Sequence, residues 1–415
     1  MDEIDIPQYF LCPISLQIMR DPVATVTGIT YDRESIDQWL STAENSSSSS
    51  SAAVCPVTKL PLSKSAGLTP NHMLRRLIQT WCIANAKSGI DRIPTPKSPL
   101  HRSAVLKLIR AVGSRRSGAE NLEALRKLDE LASDVDDENQ QCLAEAGAAK
   151  SMISYVMRRF DDGNLAGVDL ALRILRLVWS PTAENKQIVE EKPDLFQSIL
   201  WILNSKFEDS TKTDALTLLK NAVEISNSSI LEKLKPDFFK EMVRILRLKS
   251  TAAAAKREIL KILIGSCPAG RNKAKIVEAG AVFEAIEMEM GGKEKKTTEL
   301  IFSLLAQVCT CAEGRQEFLK HAGGVGMVAK RLMRVSAATD DRGMCIYESI
   351  ARYSGTRAVV GEMLTVGGVT KLCMMMQADC DVYLKKKARE ILKLHSKVWS
   401  NSPCIQLYLF TRYSR

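Results

Sequence analysis

Eleven cysteines, at positions 12, 55, 82, 142, 267, 309, 311, 345, 373, 380 and 404, are the residues best equipped to hold a metal or attack a substrate. Structural zinc needs four Cys or His ligands at loop-compatible spacing. No pair here has CxxC spacing, and Cys309 with Cys311 forms a lone CxC inside a helical pattern. Residues 1–85 offer only Cys12, Cys55, Cys82 and His72, which cannot build two tetrahedral sites. The thiols sit mostly among apolar neighbours, where they behave as small buried hydrophobes in a reducing compartment. Neither metal nor cofactor is expected. Two proline-containing stretches, 11–18 and 55–62, carry a different chemistry. Each presents aliphatic side chains on a loop whose proline limits its freedom, so docking there costs little entropy. That is equipment for holding a partner, not for making bonds.

The elements that must position these loops can be read from spacing. Asp32 precedes a helical pattern with Ile36, Trp39 and Leu40 on one face, and its carboxylate is placed to cap the first backbone N–H groups. Asn71 can cap a second helix whose Leu74, Leu77, Ile78 and Trp81 recur at helical spacing. Such a module of about 75 residues has a thin core and often needs a staple. With zinc excluded, the staple here is hydrogen bonds and packing. Residues 45–51, one Asn and six Ser, are flexible in composition, and 61–70 reads as loop. Three prolines within 93–99 break any helix and mark a joint, where Thr95-Pro96 and Ser98-Pro99 also have the form of proline-directed phosphorylation sites.

Beyond the joint the pattern is helical. Leu122, Leu125, Leu128 and Leu131 share one face. The strings NQQCLAEAGA at 139–148, NKAKIVEAGA at 272–281 and RQEFLKHAGGV at 315–325 repeat one another. Each begins a short helix and is expected to stop at Gly147, Gly280 or Gly323 through a residue with positive φ. A weaker copy ends at Gly367. Gly280 to Gly323 is 43 residues and Gly323 to Gly367 is 44. Two further copies, NKQIVEEKPDLF at 185–196 and NSSILEKLKPDFF at 227–239, replace the glycine turn with Lys-Pro-Asp. This period and pattern fit armadillo-type helical repeats, six of them over 104–397, with 398–415 as a tail. Stacked repeats share one core and form a long groove, which binds and seldom catalyses. The groove-lining third helices are expected near 167–179, 211–225, 255–265, 296–309 and 342–353.

Bulk properties agree. The chain has 415 residues, 45% hydrophobic and 26% charged, a globular composition whose length suits two to three domains. No apolar run approaches the roughly 20 residues that span a bilayer. The acidic start MDEIDIPQYF lacks the basic and apolar parts of a signal peptide. A cytoplasmic protein, with the nucleus as a second location, is the expectation. The net charge of +10 lies wholly beyond residue 99, because residues 1–99 carry nine Lys/Arg and nine Asp/Glu. Runs such as 385–387 are interleaved with acids and helical apolar positions and read as solvated helix faces. Nucleic-acid binding would want aromatic residues alternating with the basic ones, a pattern not found here.

Within 9–71 the order is YFLCPISLQIM (9–19), DPV (21–23), GITYDR (28–33), WL (39–40), CPVT (55–58), PL (61–62) and LTPN (68–71). This closely resembles the U-box, F-x-C-P-I-[ST]-x-x-x-M-x-D-P-V…G-x-[TS]-Y-[DE]-R…W…C-P-x-T…L-x-P-N. With the repeats, the whole chain resembles the plant U-box–armadillo ubiquitin ligases, in the small subgroup that begins directly with the U-box. The implied fold is mainly α: a small α+β U-box over 5–85, a linker over 86–103 and an all-α solenoid. The implied activity is that of a non-covalent E3 ubiquitin ligase. It would bind a ubiquitin-charged E2, shift it toward a reactive conformation and bring a substrate lysine near. By the resemblance, Ile14, Leu16, Trp39 and Pro56 contact E2, while Cys12, Val23, Asp32 and Asn71 build the domain. Trp39 could touch E2 or only support the platform. Lys59 stands where many U-boxes carry an arginine bridging E2 and ubiquitin; lysine is a point charge rather than a planar fork. Substrate would lie along the groove, where Arg173, Arg176, Lys220, Asn221 and Lys261 suit an acidic or phosphorylated partner. A homo-oligomer through the U-box and a setting in stress or immune signalling also follow from the resemblance. The competing reading is a non-catalytic armadillo scaffold.

Overall fold

The computed structural model describes residues 6–45, 54–62, 68–85, 102–114, 118–133, 137–292 and 294–413. The serine run past Asn45, the proline joint, Thr95 and Ser98 lie outside the described residues. Internal contacts divide the chain into two units, Met1–Pro99 and Leu100–Arg415.

The first unit is built on a three-stranded antiparallel sheet. β1 (Pro22–Ala24) lies between β2 (Thr30–Asp32) and β3 (Thr69–Pro70). Val23 pairs with Tyr31 on one side and Pro70 on the other, and it is fully buried. Pro22 and Pro70 tolerate these places because β1 is only three residues long and β3 is an edge. Helix α1 (Arg33–Asn45) follows β2 directly, and α2 (His72–Ala84) follows β3. Asn71 caps α2 as its position suggests, its side chain accepting from Leu74 N at 3.1 Å. The thin core holds Phe10, Cys12, Met19, Val23, Tyr31, Ile36, Cys55, Leu62, Ile78 and Cys82.

The second unit stacks helices about one continuous apolar core. A representative repeat runs Asn272–Glu278, Ala281–Gly291 and Lys295–Val308. Its last helix belongs to an inner layer of Gly118–Ser133, Val168–Val178, Asp209–Ile225, Ala253–Ser266, Lys295–Val308, Ala337–Tyr353 and Val382–Leu394, each packed on the next. In three of the repeat strings the opening Asn or Arg has a definite job. Asn185 Nδ2 donates to Ser180 O at 2.8 Å, and Asn272 Nδ2 donates to Ser266 O at 3.2 Å and Leu231 O at 2.8 Å. Arg315 does the same for Cys309 O and Thr310 O at 3.1 Å each. Each satisfies carbonyls left unpaired where the previous inner helix ends.

The glycine turns divide. Gly147, Gly280 and Gly367 have φ of 78°, 87° and 80°, the left-handed conformation expected of them. Gly323 does not: its φ is −93°. Here glycine serves close packing, since an added Cβ would meet Met290 Sδ at 2.8 Å. Helices also continue into 398–415, with Pro403–Tyr413 helical and Trp399 buried, its Nε1 donating to Val360 O at 3.1 Å. No single helix among the described residues is long and apolar enough to cross a membrane.

Candidate functional site

The two proline loops of the first unit are copies of one another. In the first, CPISLQ at 12–17, Leu16 N donates to Cys12 O at 2.8 Å and Cys12 N to Gln17 O at 2.8 Å. In the second, CPVTKL at 55–60, Lys59 N donates to Cys55 O at 3.0 Å and Cys55 N to Leu60 O at 2.8 Å. Isolated bridges close each loop, Leu11 with Ile18 and Val54 with Pro61. The fifth residue of each string has positive φ, 55° at Leu16 and 60° at Lys59. A non-glycine side chain is strained there by about 1–3 kcal/mol, and such strain persists only where the surroundings enforce it.

Neighbouring residues of β2 enforce it. Asp32 N donates to Cys12 Sγ at 3.3 Å, while the Tyr31 hydroxyl lies 2.9 Å from Cys55 Sγ. Thr27 Oγ1 and Thr58 N also donate to Cys55 Sγ, each at 3.4 Å. Burial alone would raise the Cys55 thiol, but hydrogen bonds from Thr27, Thr58 and Tyr31 outweigh it and bring its pKa down to about 6. Burial, with Cys55 beside it, pushes the Tyr31 hydroxyl up, so tyrosine is the donor of the pair. Cys12 is also lowered, burial being outweighed by bonds from Asp32, Ser15 and Ile14. Two buried sulfurs gather converging donors and serve as the staples of the domain.

Asp32 does not cap α1. Its Oδ1 accepts from Arg20 N at 2.7 Å and Asp21 N at 2.8 Å. The register sets Asp32 opposite Pro22, which brings the carboxylate beside the 20–21 turn, whose N–H groups it satisfies. Asp21 in turn clasps the unit together, pairing with Arg33 at 2.7 Å and with Arg75 on α2.

The loops present an apolar surface. Leu16 is 74% exposed. Ile14 is half-buried against the core and Pro56 is half-buried as well. Trp39, 38% exposed, donates its indole N–H to Val54 O at 3.0 Å, so it anchors the second loop while keeping a face in water. Lys59 is exposed beside the exposed Val57 and Leu60. Val57 and Leu60 were not singled out by the sequence reasoning. Aligning CPIS with CPVT would have found Val57, the counterpart of Ile14.

On the solenoid, Arg173, Arg176, Lys220, Asn221 and Lys261 do fall on the inner helices, but the four cations are occupied. Arg173 pairs with Asp129 at 2.9 Å, Arg176 with Asp214 at 3.0 Å, Lys220 with Glu224 at 3.3 Å and Lys261 with Glu258 at 2.7 Å. Successive inner helices lie side by side, so residues about one repeat apart meet. Asn221 is half-buried on Asp209–Ile225. A groove holding these pairs is not the bare cationic track expected for acidic or phosphorylated partners. Among the described residues no group of three or more His, Cys, Asp or Glu is placed to hold a metal ion.

Comparison with known proteins matches both halves. The U-box domain family covers residues 6–87, and the plant U-box protein ARM repeat region covers 104–415. The chain is 38% identical over 454 aligned positions to E3 ubiquitin-protein ligase PUB24 of Arabidopsis thaliana, covering 99% of this chain and 96% of that protein. It is 39% identical to E3 ubiquitin-protein ligase PUB23 of the same plant, covering 99% and 98%. Among solved structures, a designed armadillo repeat protein overlays 70% of this chain and 99% of its own, at 16% identity and a TM-score of 0.42.

Proposed function

This chain belongs to the plant U-box–armadillo-repeat family and is an E3 ubiquitin ligase of the U-box class, and from that premise we propose how its surfaces divide the work. E2 charged with ubiquitin docks on the two proline loops. Leu16 supplies the most exposed aliphatic contact, with Ile14, Pro56 and Val57 beside it and Trp39 bracing the second loop from behind. Lys59, at the tip equivalent to Leu16, faces the conjugated ubiquitin. Substrate lies on the inner helices of the solenoid. Catalysis is positional: the E2 thioester is held compact, and a substrate lysine supplies the nucleophile. A covalent role for the loop thiols is disfavoured because Cys12 and Cys55 are both fully buried.

The observation that carries this reading is the duplicated loop. Two equivalent strained loops, tied to adjacent residues of one strand, hold Leu16 on one and Val57 and Leu60 on the other in water, where a folded domain would otherwise bury them. Cytoplasm, with the nucleus second, and stress or immune signalling remain the setting the resemblance implies. Self-association through the U-box is proposed on the same basis.

The test is reconstitution with E1, a promiscuous E2, ubiquitin and ATP. Autoubiquitination is expected, unaffected by EDTA treatment once magnesium is restored, and lost in Leu16→Ala. Loss of activity on chelation would show that metal holds the domain. An active Leu16→Ala protein would move the docking surface elsewhere, and an inactive wild type would favour the scaffold reading.

A further inference from the structure

A strongly basic stretch of this chain follows residue 381. Residues 382–415 carry eight Lys/Arg against one Glu, a net +7 of the chain's +10. The inner helix Val382–Leu394 and the short helix Ser396–Trp399 hold most of it. Lys387 is engaged, with Glu348 at 3.4 Å, Cys345 Sγ at 3.1 Å and the Tyr383 ring at 4.6 Å. The others differ. Lys386, Arg389, Lys393 and Lys397 are exposed, recur at helical spacing, and have no ion-pair partner among the described residues. Glu390 is half-buried, and the exposed Asp379 and Asp381 sit at the opposite end of the helix from Lys393 and Lys397. Whereas the groove cations are neutralised, these are not.

Apolar side chains stand out among them. Val382 is 81% exposed, and Tyr383, Leu394 and Val398 are also exposed. Helix Pro403–Tyr413 packs on Gly368–Gln377, as Val382–Leu394 does, and residues 403–411 contain no charged residue. It exposes Leu407 at 64% and Phe410 at 70%, together with Leu409. Solenoid ends normally need a polar outer face for solubility. This one exposes cations and Val382 on one helix and Leu407 and Phe410 on another, both packed on Gly368–Gln377.

We infer that this face is a docking surface for an anionic lipid bilayer. The charges and the apolar groups together choose that partner. A nucleic acid would use the cations and leave Val382, Leu394, Val398 and Leu407 in water. A folded acidic protein is best read by planar guanidinium forks, but of the four exposed cations at 386, 389, 393 and 397 only Arg389 is an arginine. Lysines are point charges on flexible stems, suited to a laterally fluid field of headgroups, with exposed aliphatic and aromatic side chains entering the boundary region. The protein would sit on the surface, not span it.

The test is co-sedimentation of the full chain with phosphatidylcholine vesicles, with and without phosphatidylserine, at about 0.1 M salt. Binding is expected only with phosphatidylserine and should fade as salt rises. Each outward cation contributes about fivefold in partition, so the combined K386A, R389A, K393A, K397A variant should lose several hundredfold. L407S with F410S should weaken binding while leaving its salt dependence. A control removing four exposed cations elsewhere, Lys186, Lys206, Lys233 and Lys235, should bind like wild type. Circular dichroism checks that each variant is folded, and vesicle-free autoubiquitination should be equal in all of them. The inference is overturned if wild type ignores phosphatidylserine, or if it binds neutral vesicles equally well. It is also overturned if the control loses as much as the cluster variant, or if an acidic polypeptide is retained while vesicles are not.

Discussion

Cys55→Ala should unfold the U-box and leave the solenoid standing. Cys55 is fully buried and its sulfur collects the Tyr31 hydroxyl at 2.9 Å, Thr27 Oγ1 at 3.4 Å and Thr58 N at 3.4 Å. Alanine removes the acceptor that all three donors share, and strands the buried Tyr31 hydroxyl. Hydrogen bonds to a charged acceptor contribute about 1.5–3 kcal/mol each, and stranding a buried donor costs about as much. With all three counted at the low end, the loss is about 4.5 kcal/mol. A single small core supplies only about 3–5 kcal/mol, so the domain should be largely open. Hydrogen exchange read by mass spectrometry resolves the two units in one experiment. Protection should collapse across 10–40 and 54–82 and stay at wild-type level from 168 to 413, with E2–ubiquitin discharge lost. Undiminished protection around Tyr31 in Cys55→Ala would refute the sulfur as a staple and return the stability of the domain to apolar packing alone.

The remaining predictions concern the same geometry. Because the Cys55 pKa is lowered from 9.0 to about 6, the native state releases a proton that the unfolded chain still holds between those values. U-box stability should therefore rise with pH from about 6 to 9 and be lost as pH falls through about 6, a dependence reduced in Cys55→Ser if serine keeps the fold, with Cys12, also lowered, supplying what remains. Leu16→Ala should abolish discharge with no measurable change in melting temperature, whereas Ile14→Ala, half-buried against the core, should also lower stability by about 1 kcal/mol. Lys59→Arg should speed discharge from the E2 thioester without changing E2 affinity; an unchanged rate would end the bridging role. Arg176→Ala should lower the urea midpoint of the solenoid by an amount equivalent to about 1–2 kcal/mol, since it strands Asp214, which burial already holds above the usual carboxylate range despite Arg176 and Arg173.

Local rules made much of the fold legible. The inner helices were placed within a few residues because their apolar period is unbroken, and Asn71 capped its helix because a cap is settled within three residues. Gly323 and Asp32 mark where local rules stop. A glycine before another glycine reads as a left-handed turn, yet Gly323 answers to Met290, more than thirty residues earlier in the chain. Asp32 stands one residue before a helix, but strand register hands its carboxylate to a turn eleven residues back. Val57 was legible too, had the two Cys-Pro strings been laid over each other.

Charge was the least legible property, and the reason is the repeat itself. Lys220 and Lys261 meet carboxylates on their own helices, but Arg173 and Arg176 meet theirs on the neighbouring inner helix, 44 and 38 residues away, beyond any window in which spacing is informative. In sequence, Arg176 and Lys393 look alike, each a basic residue on an amphipathic helix. In the structure Arg176 is spent holding two repeats together, while Lys393 lies on an inner helix with no inner helix packed on its far side among the described residues. Stacking thus consumes the charge of Arg173 and Arg176 between repeats, and leaves Lys393 displayed where the inner layer of described helices stops. If substrate lies along the groove as proposed, its specificity there comes from shape and half-buried groups such as Asn221. An anionic partner would find lysines without an ion-pair partner among the described residues on the helices after residue 381, where no further described inner helix supplies carboxylates to neutralise them.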